Sequence, residues 1–398
     1  MAATISDLER IELDPFAEQN LRYPHAMQRT LLEAGSVFWL DCYETYGVAR
    51  HREVQQVLQD PQHFISSAGI GLAHLRKPGA WRVPSPIAEA DPPQHDIVRK
   101  AMNRIVSPSV VNGWRERFLQ RAQVLCDAVL AAGRVDGLKD LAEAYVHDVF
   151  PSALGVEPHR ENLLIVGHHN ANAAGPNNEL FKRSQAALEG IMDWYQRHQS
   201  PAGIIPGGFG AQVFAAEERG DIPQGLASPM LRTLLRGGLD TTISGLATAL
   251  WYLASNPVQW SILKRNPKLV GNAFEEALRM ESPTSSIYRT TTEGARVGDV
   301  DLLPDTKVQV FVGASNRDPR KWPDAESYNV ERSLGGHVGF GFGIHFCLGR
   351  SIAKLEAECF LSTLVERVAE FELDGEVEFR AVNVLRTIKS LPLRVRLH

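Results

Sequence analysis

The chain has 398 residues, 44% of them hydrophobic and 22% charged, with a formal net charge of −5. That composition excludes a disordered or fibrous chain, and the mild acidity gives no footprint for nucleic acid or an anionic membrane surface. The N-terminus lacks a basic start followed by an apolar stretch, and no apolar run reaches the roughly 18–20 residues of a bilayer span, so a soluble cytoplasmic monomer is expected.

Residues 1–20 read as an N-terminal extension and 21–398 as one domain, mainly α with a small β region. Short amphipathic helices are predicted over 25–34 and 53–59, flanking strands over 37–40 and 46–49. Residues 60–94, rich in Gly, Ser and Pro, form a long loop of a length that usually serves binding. Helical spacing returns over 95–132, broken near Pro108, and over 138–150. Residues 170–178 form another break, and 199–210, with Pro201 and Pro206, read as a hinge. The segment 229–255 is apolar nearly all round, which predicts a central helix. A helix over 268–280 precedes strands over 290–297 and 307–312, an irregular stretch over 316–339, a last helix over 348–369 and a strand-like tail.

The four cysteines, Cys42, Cys126, Cys347 and Cys359, have no zinc-type pairing. Three of them read as buried and inert. Cys347 differs, because it ends Phe340-Gly341-Phe342-Gly343-Ile344-His345-Phe346 and precedes Leu348-Gly349-Arg350. A thiolate ligand to haem iron must be deprotonated and shielded from water and oxidant. Glycines let backbone approach the porphyrin closely and adopt positive φ. A cysteine opening a helix faces N–H groups that favour an anion. Phe340 is placed to cover the sulfur and His345 to bond a haem propionate.

The pattern Phe-x-x-Gly-x-x-x-Cys-x-Gly resembles that of the cytochrome P-450 family, and the resemblance extends over about residues 20–398. It implies a single-domain cytochrome P-450 fold and haem b (iron protoporphyrin IX) ligated by Cys347, with Phe340, Gly341, His345 and Gly349 around it. Glu276 and Arg279, on one helix face, match the family's structural Glu-x-x-Arg pair, and Arg332 matches the arginine that joins it. In Gly237-Gly238-Leu239-Asp240-Thr241-Thr242 the glycines and threonines weaken the helix. The family kinks there, and Asp240 and Thr241 match its proton-carrying acid–alcohol pair. His95 and Arg99, one helical turn apart, and Arg289 match propionate ligands.

A narrower resemblance, to bacterial enzymes that oxidise para-substituted benzoates, rests on Trp81-Arg82-Val83-Pro84-Ser85, Asp140-Leu141-Ala142-Glu143-Ala144-Tyr145 and Asn178-Glu179-Leu180-Phe181. It implies that Arg82, Ser85, Arg232 and Thr233 hold a substrate carboxylate. The spacing Thr233, Gly237, Thr241 puts these three on one helix face. Arg236 has no assigned role beyond a pairing with Asp240. Ala171, Ala174 and Ile287 stand where the group has aromatic residues, which predicts extra room for the substrate. On this reading Arg82→Ala costs roughly 1.5–3 kcal/mol of acid binding.

The implied activity is monooxygenation of an aromatic carboxylic acid, by hydroxylation or O-demethylation. It uses O2 and electrons from a 2Fe-2S-type ferredoxin with its NAD(P)H-dependent reductase, since no flavin or iron–sulfur module is legible. Other readings stay open: a terpenoid or fatty-acid monooxygenase, a peroxide-driven enzyme, or a haem ligand sensor without turnover.

Overall fold

In the computed structural model, which describes residues 5–398, helices form most of the chain and strands gather at one corner. The corner is a six-stranded sheet whose outermost strand is Glu9–Ile11, parallel to Phe38–Leu40. Part of the expected N-terminal extension therefore belongs to the sheet. Thr45–Val48 pairs with Lys307–Val310 in parallel, and Ile287–Thr291 lies antiparallel beside the latter. The Tyr46–Val308 pairing joins segments some 260 residues apart in sequence, and Arg289 lies opposite Val308 on the next strand, inside the sheet and not at its edge.

The strand expected over 290–297 begins earlier, at Ile287, and ends at Thr291. Its middle residue is Arg289, only 3% exposed, so a buried charge disguises the strand. Helix Pro257–Arg265, absent from the sequence reading, follows an Asn-Pro start and buries Trp260 and Leu263. The break expected at residue 170 falls later. Helix Arg160–Ala174 runs through it, and the Asn172 side chain accepts from the Asn383 N–H at 3.0 Å, so its polar group is satisfied outside the helix. Cys42 is exposed rather than buried, although partial burial and the neighbouring Asp14 still push its thiol up to about 11.

The central apolar segment is two helices, Ala227–Gly237 and Asp240–Ser255, and not one. A Cβ on Gly238 would lie 2.0 Å from the ring of Phe150, on helix Ala144–Leu154, so any larger residue at the break would have to displace that ring. The hydroxyls of Thr241 and Thr242 donate back to the carbonyls of Gly237 and Gly238 at 3.0 and 3.3 Å. Such back-bonding competes with the helical ladder and holds it open.

Behind the cysteine loop, Arg279 donates to both Glu276 oxygens at 2.7 and 2.9 Å, and Arg332 Nε donates to Glu276 Oε1 at 2.9 Å. The side chains of Glu276 and Arg279 have no exposure at all. Arg279 Nη1 also donates to the carbonyls of Asn316 and Ala325, which ties down the irregular stretch before the loop. Breaking one partner of a buried pair strands the other charge. Glu276→Ala is thus expected to lose about 3–5 kcal/mol in urea unfolding; a loss below about 1 kcal/mol would contradict a structural network.

Candidate functional site

The cysteine loop owes its shape to local backbone chemistry. Gly341 and Gly343 have φ of +75° and +70°, and a Cβ on Gly343 would lie 2.3 Å from the Leu58 carbonyl. The Cys347 N–H donates to the Phe340 carbonyl at 2.8 Å, closing the loop just before helix Arg350–Arg367. Phe340 is buried, and the Arg350 guanidinium lies over both its ring and that of Phe346. Burial pushes the Cys347 thiol up, against the pull of the Gly349 and Arg350 N–H groups and the Arg99 charge. A bound metal ion deprotonates such a thiol outright.

Four basic groups stand near this loop. The His95 and His345 rings meet edge to face at 4.5 Å. His95 Nδ1 bonds Asp96 at 2.9 Å, but the Nε2 atoms of His95 and His345 are buried without a protein partner. Arg289 makes one side-chain bond, to the Tyr288 carbonyl at 2.8 Å, and no described carboxylate lies within salt-bridge distance. Its burial pulls it down to about 10, while burial, Arg289, His95 and Arg99 hold His345 down to about 3. A buried cation such as Arg289 without a counter-charge, and buried polar atoms without partners, cost folding free energy. The two propionates of a haem supply the missing acceptors, so these residues fit the group.

Asp240 opens the second central helix with both carboxyl oxygens buried and unbonded. Burial and the Glu143 charge push it up to about 8, against Arg380. The carboxyl sits over Gly167, where a Cβ would lie 2.3 Å from it, and His168 Nε2 is 3.8 Å from Oδ2. The expected pairing with Arg236 does not form; Arg236 Nε donates instead to the Tyr195 hydroxyl at 2.6 Å. Thr241 is half-buried beside the break, and a Cβ on Gly237 would meet open space.

Among the residues expected to hold substrate, Thr233 donates to Ser85 Oγ at 3.0 Å, joining the long loop to the central helix. Arg232 donates to the Pro84 carbonyl at 2.8 Å. Arg82, however, is already neutralised. Its Nε donates to Glu89 at 2.6 Å, its Nη1 to the Asn170 carbonyl at 3.2 Å, and the Glu89 side chain has no exposure. The extra room expected at Ala171 and Ala174 is not there. Both are buried with Tyr288, Val382 and Leu385, and the long loop closes on them through Leu72 N–H to the Ala174 carbonyl at 2.9 Å. Ile287 is half-buried at the strand start, apart from that cluster.

Sequence reasoning missed Glu89, His168, Tyr195 and Lys307. The last, pulled down to about 7 by burial, pins the loop carbonyls of Ala68 and Gly69 at 3.0 and 2.6 Å. The partners of His168, Tyr195 and Lys307 come from distant segments, and Glu89 pairs with Arg82 and Ser85 inside a loop that has no regular spacing.

Asp240 carries a stability consequence. Its folded pKa of about 8 lies above the ordinary 3.8, so the unfolded chain releases its proton first and stability falls as pH rises between those values. Asp240→Asn removes this dependence. The variant's gain in unfolding free energy is expected to be larger at pH 8 than at pH 5; a gain independent of pH would contradict a buried, unpaired acid.

A family model described as cytochrome P450 matches residues 230–382. Over 96% of this chain and 93% of the relative, the sequence is 42% identical to cytochrome p450 CYP199A2 of Rhodopseudomonas palustris. The fold superposes on cytochrome P450 CYP109Q5 from Chondromyces apiculatus with a TM-score of 0.80, at 26% identity over 97% of this chain and 99% of that one. Myxobacterial cytochrome P450 CYP267B1, solved in complex with myristic acid, gives a TM-score of 0.82 at 26% identity over 96% and 99%. Among the described residues no helix is long and apolar enough to cross a membrane. With its cysteine loop, its buried basic groups and this likeness along nearly the whole chain, the protein belongs to the cytochrome P450 family of haem-b, O2-using monooxygenases.

Proposed function

We propose that the protein inserts one oxygen atom of O2 into a C–H bond of an aromatic carboxylic acid, by hydroxylation or O-demethylation. Electrons come from a 2Fe-2S ferredoxin and its NAD(P)H-dependent reductase. Cys347 would ligate the haem iron, and Arg99, Arg289, His95 and His345 would hold the propionates. Haem bound there supplies the iron that takes O2, and a thiolate ligand favours cleavage of the O–O bond.

The chain's own part is to hold substrate and move protons. Asp240, at about 8, keeps its proton at neutral pH, and the next residue is Thr241, whose hydroxyl lies at the helix break. His168 stands behind the acid with 22% of its side chain exposed, a route by which Asp240 Oδ2 regains a proton from solvent. Burial of the apolar walls excludes bulk water, which strengthens each charge in the site.

The observation that favours an acid substrate is the excess of positive charge on the first central helix. Arg232 and Arg236 both lie one or two turns before Thr241, and no described carboxylate is within salt-bridge distance of either. A neutral terpenoid would leave them uncompensated.

Two measurements test this reading. Optical titration of the ferric protein with aromatic acids and their amides is expected to show a high-spin shift with the acids alone; larger shifts with neutral terpenes or fatty acids would refute the acid reading. Arg289→Leu removes one charged hydrogen-bond donor worth about 1.5–3 kcal/mol, or roughly 10–150-fold in affinity. Haem transfer to an excess of apomyoglobin should quicken by about that factor, and an unaltered rate would remove Arg289 from the propionate set.

A further inference from the structure

A cavity of about 320 Å³ lies between residues 81–83 of the long loop, helices Arg160–Ala174, Glu179–Glu189 and Met192–Arg197, and helix Ala227–Gly237. Its wall includes Trp81, Arg82, His169, Tyr195, Arg232 and Arg236. The charges there do not balance. Arg82 is cancelled by Glu89 at 2.6 Å. Burial, Arg236 and Arg82 hold His169 down to about 4, so it is neutral.

Arg232 and Arg236, one helical turn apart, bond only to neutral groups: the Pro84 and Val83 carbonyls at 2.8 and 3.5 Å and the Tyr195 hydroxyl at 2.6 Å. The Tyr195 hydroxyl keeps its proton, because burial pushes it up despite Arg236. Burial and Arg236 together pull Arg232 down, the sign of two like charges forced close. Such a pair costs the fold free energy that a bound anion returns.

The same wall offers an aromatic face. Trp81 is fixed by its Nε1–H, which donates to the Ala173 carbonyl at 3.0 Å, and its ring stands 6.3 Å from Phe181. The volume suits a small ligand. Ser85, Thr233 and Glu89 do not line the cavity, whereas Arg82 does: it stands in the wall and bonds Glu89 behind it, and Thr233, on the helix face shared with Gly237 and Thr241, bonds Ser85.

We infer that this cavity is an antechamber that captures the carboxylate of an aromatic acid on Arg232 and Arg236, with the ring against Trp81, before the acid passes the Arg82–Glu89 pair to Thr241. The inference rests on the aromatic-acid reading, and it assigns Arg236 a role outside the haem pocket. Charge at an entrance acts mainly on association rate and its dependence on salt.

The experiment follows spin-state change in the ferric holoprotein by stopped flow, with 4-methoxybenzoate and its amide as probes. Arg236→Gln should lower the acid's association rate about tenfold and remove most of its salt dependence, with less than twofold change for the amide; Arg236→Lys should restore most of the rate. Iodide quenching of Trp81 fluorescence, taken as wild type minus Trp81→Phe, should fall in Arg236→Gln while acrylamide quenching holds. A wild-type rate and wild-type iodide quenching in Arg236→Gln overturn the antechamber. If wild type gives no shift with acids but the iodide effect appears, the substrate reading fails and the anion site stands.

Discussion

A single sulfur atom sets the terms for the rest of the molecule. To serve as an anionic ligand, Cys347 has to sit in a dry place that by itself opposes its ionisation. The fold meets that demand with two left-handed glycines, a loop closed by Cys347 N–H to the Phe340 carbonyl, and a helix starting three residues later. Glu276, Arg279 and Arg332 bond one another and the backbone of residues 316–329, the irregular stretch that leads to the loop. Rigidity there would hold the sulfur in place as a ligand to the haem iron.

Much of the remaining site is a matter of ionisable groups placed where water cannot reach. The two histidine Nε2 atoms and the Asp240 carboxyl oxygens are buried without a hydrogen-bond partner, and buried Arg289 has only the Tyr288 carbonyl. In an ordinary core each would be an error. Here the basic groups lie by the cysteine loop and the acid lies at the helix break, the two places where the proposed function needs propionate partners and a proton source. Where a charge has no such task, the chain cancels it, as Glu89 does for Arg82.

The features legible in the sequence were those carried by contiguous residues. The cysteine loop, the Glu276–Arg279 spacing and the weak Gly-Gly-Leu-Asp-Thr-Thr turn all lie within one or two helical turns. The residues that were missed act across long separations: His168 reaches Asp240, Tyr195 reaches Arg236, and Asn172 holds Asn383. The extra space inferred from Ala171 and Ala174 failed for the same reason, because distant segments fill it. Small side chains predict volume only when nothing else moves in. Arg289 shows the reverse fault, since a functional charge inside a strand spoils the alternation by which strands are read.

The account stands on coordination of the iron by the Cys347 sulfur, and exchange of that sulfur for oxygen tests it most directly. With Cys347→Ser, the reduced protein under carbon monoxide is predicted to lose the red-displaced Soret band that thiolate ligation produces. Retention of that band in the variant would mean that another atom holds the iron, and would contradict the placement of every residue argued from it.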